Sequence, residues 1–167
     1  MVRRIGVVLT LLLALGLPTS AIFAGNVHFN GSITFASGSL TASGVLAGLG
    51  HEDVNVSLTG YGTGTATCTN RYGEEVPGAN ELPVESTGVT TLYNNGSDPF
   101  TVTAEDPPFP TPREAGCPRS HCRVVAFPVD WTSAVITVES VDTGELLLEQ
   151  AYTCITTPDG VECTPVE

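Results

Sequence analysis

Apolar side chains recur at every second position over most of this chain, and the three-to-four spacing of an amphipathic helix is nearly absent. Val27, Phe29, Ile33 and Phe35 share odd parity across Gly31, and a period of two keeps all four on one face. Residues 27–35 therefore read as one long first strand, because a hairpin turning at Asn30-Gly31 would send the two pairs to opposite faces. Further runs of Val, Thr, Ile and aromatic residues, bounded by Gly, Pro, Asn and Asp, predict strands at 38–49, 54–60, 63–69, 84–92, 100–104 and 123–131. In the last of these Val125, Phe127, Val129 and Trp131 alternate inward. Pro128 cannot donate to a ladder and marks an edge or a bulge.

Three turns follow from the same pattern. Asn95-Gly96 predicts a hairpin that sets Val89 opposite Val102, Thr91 opposite Phe100 and Tyr93 opposite Asp98. Asp142-Thr143-Gly144 predicts a second, with Gly144 left-handed, Val138 opposite Leu148 and Ser140 opposite Leu146. Ala134, Ile136 and Val138 then point inward with Leu146, Leu148, Tyr152 and Cys154. A four-residue loop at 157–160 places Thr156 opposite Val161 and Cys154 opposite Cys163, and Pro158 and Gly160 suit it. Eight or nine strands make an all-β, two-sheet antiparallel sandwich of immunoglobulin-like type. The segments 70–83 and 105–122, rich in Gly, Pro and charge, read as the long irregular loops where function concentrates.

The first 24 residues stand apart. Arg3 and Arg4 precede an apolar run from Ile5 to Leu17, then Pro18 and small residues, which is the order of a cleavable secretory signal. That run of about 13 residues falls short of the roughly 20 that span a bilayer. Cleavage after Ala24, or else Ala21, leaves one β-sandwich domain over 25–167. No cysteine follows the run to take a lipid, and no second apolar segment reaches membrane length, so no membrane insertion is expected after cleavage.

Charge narrows the partners. All 18 acids follow the leader, two of the six arginines lie inside it and there is no lysine, so four arginines against 18 acids leave −14. Such a surface repels phosphate, which excludes nucleic acid and disfavours anionic membranes. A protein or glycan partner outside the cell remains. Glu52-Asp53, Glu74-Glu75, Glu105-Asp106 and Asp159 offer hard oxygen ligands, yet none has the spacing of a calcium loop.

In an exported chain five cysteines read as disulfides before metal or catalysis. Cys154 with Cys163 follows from the hairpin. Cys68 then joins Cys117 or Cys122, with a bridge to Cys154 as the rival, and one thiol is left over.

No constellation carries catalysis, a metal or a cofactor. His51, Glu52 and Asp53 are adjacent in a loop and cannot converge on one atom, and they read as an exposed turn. Cys117, His121 and Cys122 could approach a metal, but zinc needs a fourth ligand. His28 alternates outward. Trp131 reads as a buried anchor, since Tyr61, Tyr72 and Tyr93 share no face with it to build a sugar platform. Asn30, Asn55 and Asn95 each begin an N-x-S glycosylation pattern.

Taken together, Cys68-Thr69-Asn70, Pro77-Gly78-Ala79-Asn80, Cys117-Pro118 and the stretch Val129-Asp130-Trp131-Thr132-Ser133-Ala134 resemble a group of uncharacterised bacterial secreted β-sandwich proteins. Those carry C-x-N, P-G-x-N and C-P segments before a V-x-F-T-S-A strand. The likeness spans about residues 63–154, and the group brings no activity with it. It implies a Cys68 to Cys117 bridge, with Cys122 the extra cysteine and candidate free thiol.

Overall fold

The computed structural model describes residues 26–93, 97–118 and 122–167. The segment expected to be a leader and the hairpin turn expected at Asn95-Gly96 lie outside them. The described residues form ten strands: β1 (His28–Phe29), β2 (Thr34–Ala36), β3 (Thr41–Ala47), β4 (Val54–Thr69), β5 (Glu75–Leu92), β6 (Ser97–Thr103), β7 (Arg123–Ala126), β8 (Val129–Ser140), β9 (Leu146–Thr157) and β10 (Gly160–Pro165). All pairings are antiparallel and they build two sheets, so the expected all-β sandwich is the fold.

In the small sheet β3 is central. β6 pairs along one side of it, while β1 and β2 lie end to end on the other. The large sheet runs β10-β9-β8-β4-β5, and β7 continues the line of β8 along β4.

Among the described residues there are ten strands rather than eight or nine: two expected strands each split, while the strands expected at 54–60 and 63–69 merge into β4. Phe29 faces Leu46 and Phe35 faces Ala42, so two extra residues are inserted between β1 and β2. An even insertion preserves parity, and both phenylalanines still pack on the core. Between β7 and β8 the break falls at Phe127-Pro128, where the Pro128 carbonyl accepts from the Thr65 amide at 3.2 Å. Pro128 thus sits at a break beside a central strand, not on an edge. A register shift also turns Val125 outward, and Val124 takes the inward place expected of it.

Leu46, Ala42, Phe100 and Val102 of the small sheet meet Val54, Val56, Leu58, Ala134, Ile136 and Val138 of the large one, all essentially buried. Each large aliphatic chain so buried contributes about 1.5–3 kcal/mol. Phe35 packs edge-on against Tyr152 of the opposite sheet, with centroids 5.1 Å apart. Trp131 is buried among them, as its isolation in the sequence suggested.

The hairpin expected at Asn95-Gly96 does not form. β5 pairs with β4 from Val54↔Leu92 to Thr69↔Glu75, whereas β6 pairs with β3, so the chain crosses between sheets. The β4 ladder is far longer than a hairpin could offer, and it turns Val84, Ser86 and Gly88 inward, leaving Val89 exposed. The hairpin before β9 does form, with Gly144 at φ +69 and Val138 opposite Leu148. A bulge there sets Leu146 opposite Glu139 rather than Ser140 and leaves it exposed, while Leu147 and Leu148 reach the core.

Candidate functional site

The large sheet outruns the small one. The even-numbered face of β4 continues from Val54 through Leu58 to Gly64, Ala66 and Cys68, where a second, smaller core begins. Ala66, Cys68 and Ala115 are buried there with Val76, Cys117, Cys122, Val124 and Phe127 against them. What covers this core is the loop after β6, stapled by a bridge between Cys68 and Cys117.

Local chemistry shapes that loop. Thr111-Pro112-Arg113-Glu114 makes a capping box: the Glu114 carboxylate accepts from the Thr111 amide and hydroxyl, each at 2.8 Å, and the Glu114 amide donates to Thr111 Oγ1 at 3.3 Å. These bonds, the amide's first, hold the Glu114 carboxyl below its ordinary pKa. Amides of Ala115 and Cys117 close the turn on the carbonyls of Thr111 and Pro112. Asn80 donates from its amide side chain to the Glu114 carbonyl at 2.8 Å and so ties the loop to β5.

The second expected loop is mostly strand. Of 70–83, the turn before Glu75 is irregular and the ladder breaks register over 78–80, between Thr67↔Pro77 and Thr65↔Glu81, while the β4–β5 pairing extends on to Thr69↔Glu75. Asn70 organises this turn: its Oδ1 accepts from the amides of Tyr72 and Glu74, and its Nδ2 donates to the Glu74 carboxylate at 2.7 Å. Arg71 lies over the Tyr72 ring, 4.6 Å from its centroid, and donates to the Tyr72 hydroxyl. Across the β4–β7 pair, Arg123 Nε donates to Thr69 Oγ1 at 3.4 Å. Thr69, Asn70, Arg71, Gly73, Glu75, Arg123 and Val125 line an open groove of about 590 Å³.

Both disulfides are present where the sequence pointed. Cys154 faces Cys163 in the β9–β10 ladder and is bonded to it. Cys122 takes part in neither bridge and lies half-buried in the small core. His51 is exposed in a turn, with Glu52 and Asp53 half-buried beside it. His28 is exposed and its Nδ1 contacts the Asn26 carbonyl at 2.6 Å. Asn30 is exposed, while Asn55 accepts from Thr91 within the β4–β5 ladder at 2.7 Å. His121 and Asn95 lie outside the described residues, among which no three His, Cys, Asp or Glu side chains converge as metal ligands.

The arginine groove was not anticipated. A signal for it existed: in a chain of 18 acids, all four arginines after residue 24 fall between 71 and 123.

No family model and no curated protein matches the chain. Among solved structures it is similar to Bacteroides uniformis beta-glucuronidase at 18% identity and TM-score 0.31. It is likewise similar to a calcium binding mutant of Bacteroides uniformis beta-glucuronidase 2 at 19% and 0.33. Each match covers 78% of this chain but spans only 14% of the other, and likeness of this degree carries no functional argument. The fold defines a disulfide-stapled two-sheet β-sandwich protein.

Proposed function

We propose that the protein is exported and serves outside the membrane as a non-catalytic β-sandwich that binds another macromolecule or builds a surface structure. The observation that carries this reading is the stapled end, where Cys68–Cys117 fixes a long loop onto the protruding part of the large sheet. Two disulfides suit an oxidising compartment. The bonded turns and the bridge present an open, preorganised surface, as binding requires. Catalysis calls for a nucleophile, base and orienting group within reach of one another.

A broad hydrolase screen of the purified, disulfide-bonded protein tests the reading. No turnover is expected. Activity that disappears on replacing His51 or Glu52 would sink it. Non-reducing mass mapping of the secreted protein tests export, with an N-terminus at residue 25 as the expected result.

A further inference from the structure

We infer that the groove between the Asn70 turn and β7 binds an acidic glycan, a saccharide chain bearing uronate carboxylates; this rests on the macromolecule-binding reading above. The first argument is charge geography. Arg71 and Arg123 line one groove, and no other lysine or arginine of the described residues except Arg113 exists to dilute the contrast with the acidic body. Neither guanidinium is matched with a carboxylate. Arg71 is held by the ring and hydroxyl of Tyr72, and Arg123 by the Thr69 hydroxyl, all neutral partners.

The nearest acid in the turn, Glu74, is engaged with Asn70. Each guanidinium carries five N–H donors in a planar fork that suits a carboxylate, and one is used in each case. Solvation alone would account for exposed arginines. It would not account for two of them held by neutral groups on one groove in a chain so rich in acids.

The remaining lining selects the kind of anion. Glu75 shares the groove, which repels a dense polyanion such as a phosphate chain but accepts hydroxyl donors. Thr69 and Asn70 add polar partners, and Tyr72, next to Arg71 in the turn, is 68% exposed. Uronates offer both groups at once: a carboxylate for the arginines and hydroxyls for Glu75. A protein partner would call for apolar or aromatic anchors seated in a pocket, and Val125 is the one apolar lining residue. The Asn70 turn follows directly on the strand end pinned by Cys68–Cys117, so little ordering is left to the moment of binding.

Titration calorimetry of the disulfide-bonded protein with polygalacturonate, dextran and polyglutamate tests this. Binding to polygalacturonate that weakens with salt is expected, with none to dextran. Arg71→Gln and Arg123→Gln should each weaken it about tenfold, with unchanged thermal midpoints since both side chains are exposed. Absence of binding, or binding that both variants retain in full, overturns the proposal. Polyglutamate bound as tightly as polygalacturonate overturns it in favour of an acidic protein partner. Chain length of the polymer, followed by size exclusion, separates the two readings. An intact polymer that does not bind removes the groove alone, whereas a shortened one removes the non-catalytic reading.

Discussion

Gly60 lies against the six-membered ring of the Trp131 indole. A Cβ built on Gly60 would stand 2.9 Å from Trp131 Cζ3 and 2.5 Å from Leu40 Cδ2, closer than packed atoms tolerate. The glycine is there for space, since it leaves room for the only tryptophan in the buried core.

Gly60→Ala should therefore destabilise the sandwich by about 1–3 kcal/mol, the usual range for overpacking a filled core. Urea unfolding followed by tryptophan fluorescence measures this directly. A midpoint equal to that of the wild type would show that the indole yields freely.

The two bridges should differ in worth. Their sequence separations are 49 and 9 residues, and the chain-entropy relation gives roughly 4 and roughly 2.5 kcal/mol. Replacing Cys68 and Cys117 together by alanine should cost more than replacing Cys154 and Cys163. Equal losses in equilibrium unfolding would mean that constraint on the unfolded chain does not set the difference.

Acid should loosen the capping-box turn. Glu114 titrates below its ordinary value because Thr111 donates to its carboxylate, so the stabilisation is complete above the ordinary carboxylate range and is lost as pH falls through the folded value. The Thr111 amide resonance should shift in that window, with a midpoint below the ordinary value for glutamate. Glu114→Gln should abolish the shift; a Thr111 signal that titrates unchanged in the variant contradicts the assignment.

At the other extreme, burial raises the Tyr152 pKa. Its contribution is present below the ordinary tyrosine value and is lost as pH rises through the folded one. Alkaline difference absorbance should contain a step above about pH 10 that Tyr152→Phe removes. Should the variant keep that step, another phenol is responsible.

Local signals in the sequence proved the most legible. Cys154 opposite Cys163 needed only a short turn and strand parity, and Gly144 needed only its left-handed conformation. Long-range choices were less so. The Asn95-Gly96 reading matched apolar positions within one candidate hairpin, but could not weigh it against a β4 partner reaching back to Thr69↔Glu75.

Glycine misled in one place. Gly62 and its neighbours read as a break between two strands, yet β4 is continuous, because Gly60, Gly62 and Gly64 admit Trp131, the Asp130 carbonyl and the Phe127 ring. Close approach leaves no mark in one strand's own pattern. As for the candidate site, its cysteines and its two segments could be named in advance. The arginine groove could not, because it depends on β7 bringing Arg123 beside Thr69.

The two-residue insertion between β1 and β2 has a meaning for the protein among its neighbours. Asn30 still donates to the Val45 carbonyl at 2.8 Å, and Gly31 then takes φ +89 and turns the chain out of the ladder. A foreign strand laid along this border of the small sheet would find two residues of β1 or three of β2 before losing register. Sheet borders that run straight invite such pairing. Here the interruption spoils the template, while the even count of inserted residues leaves Phe29 and Phe35 in the core.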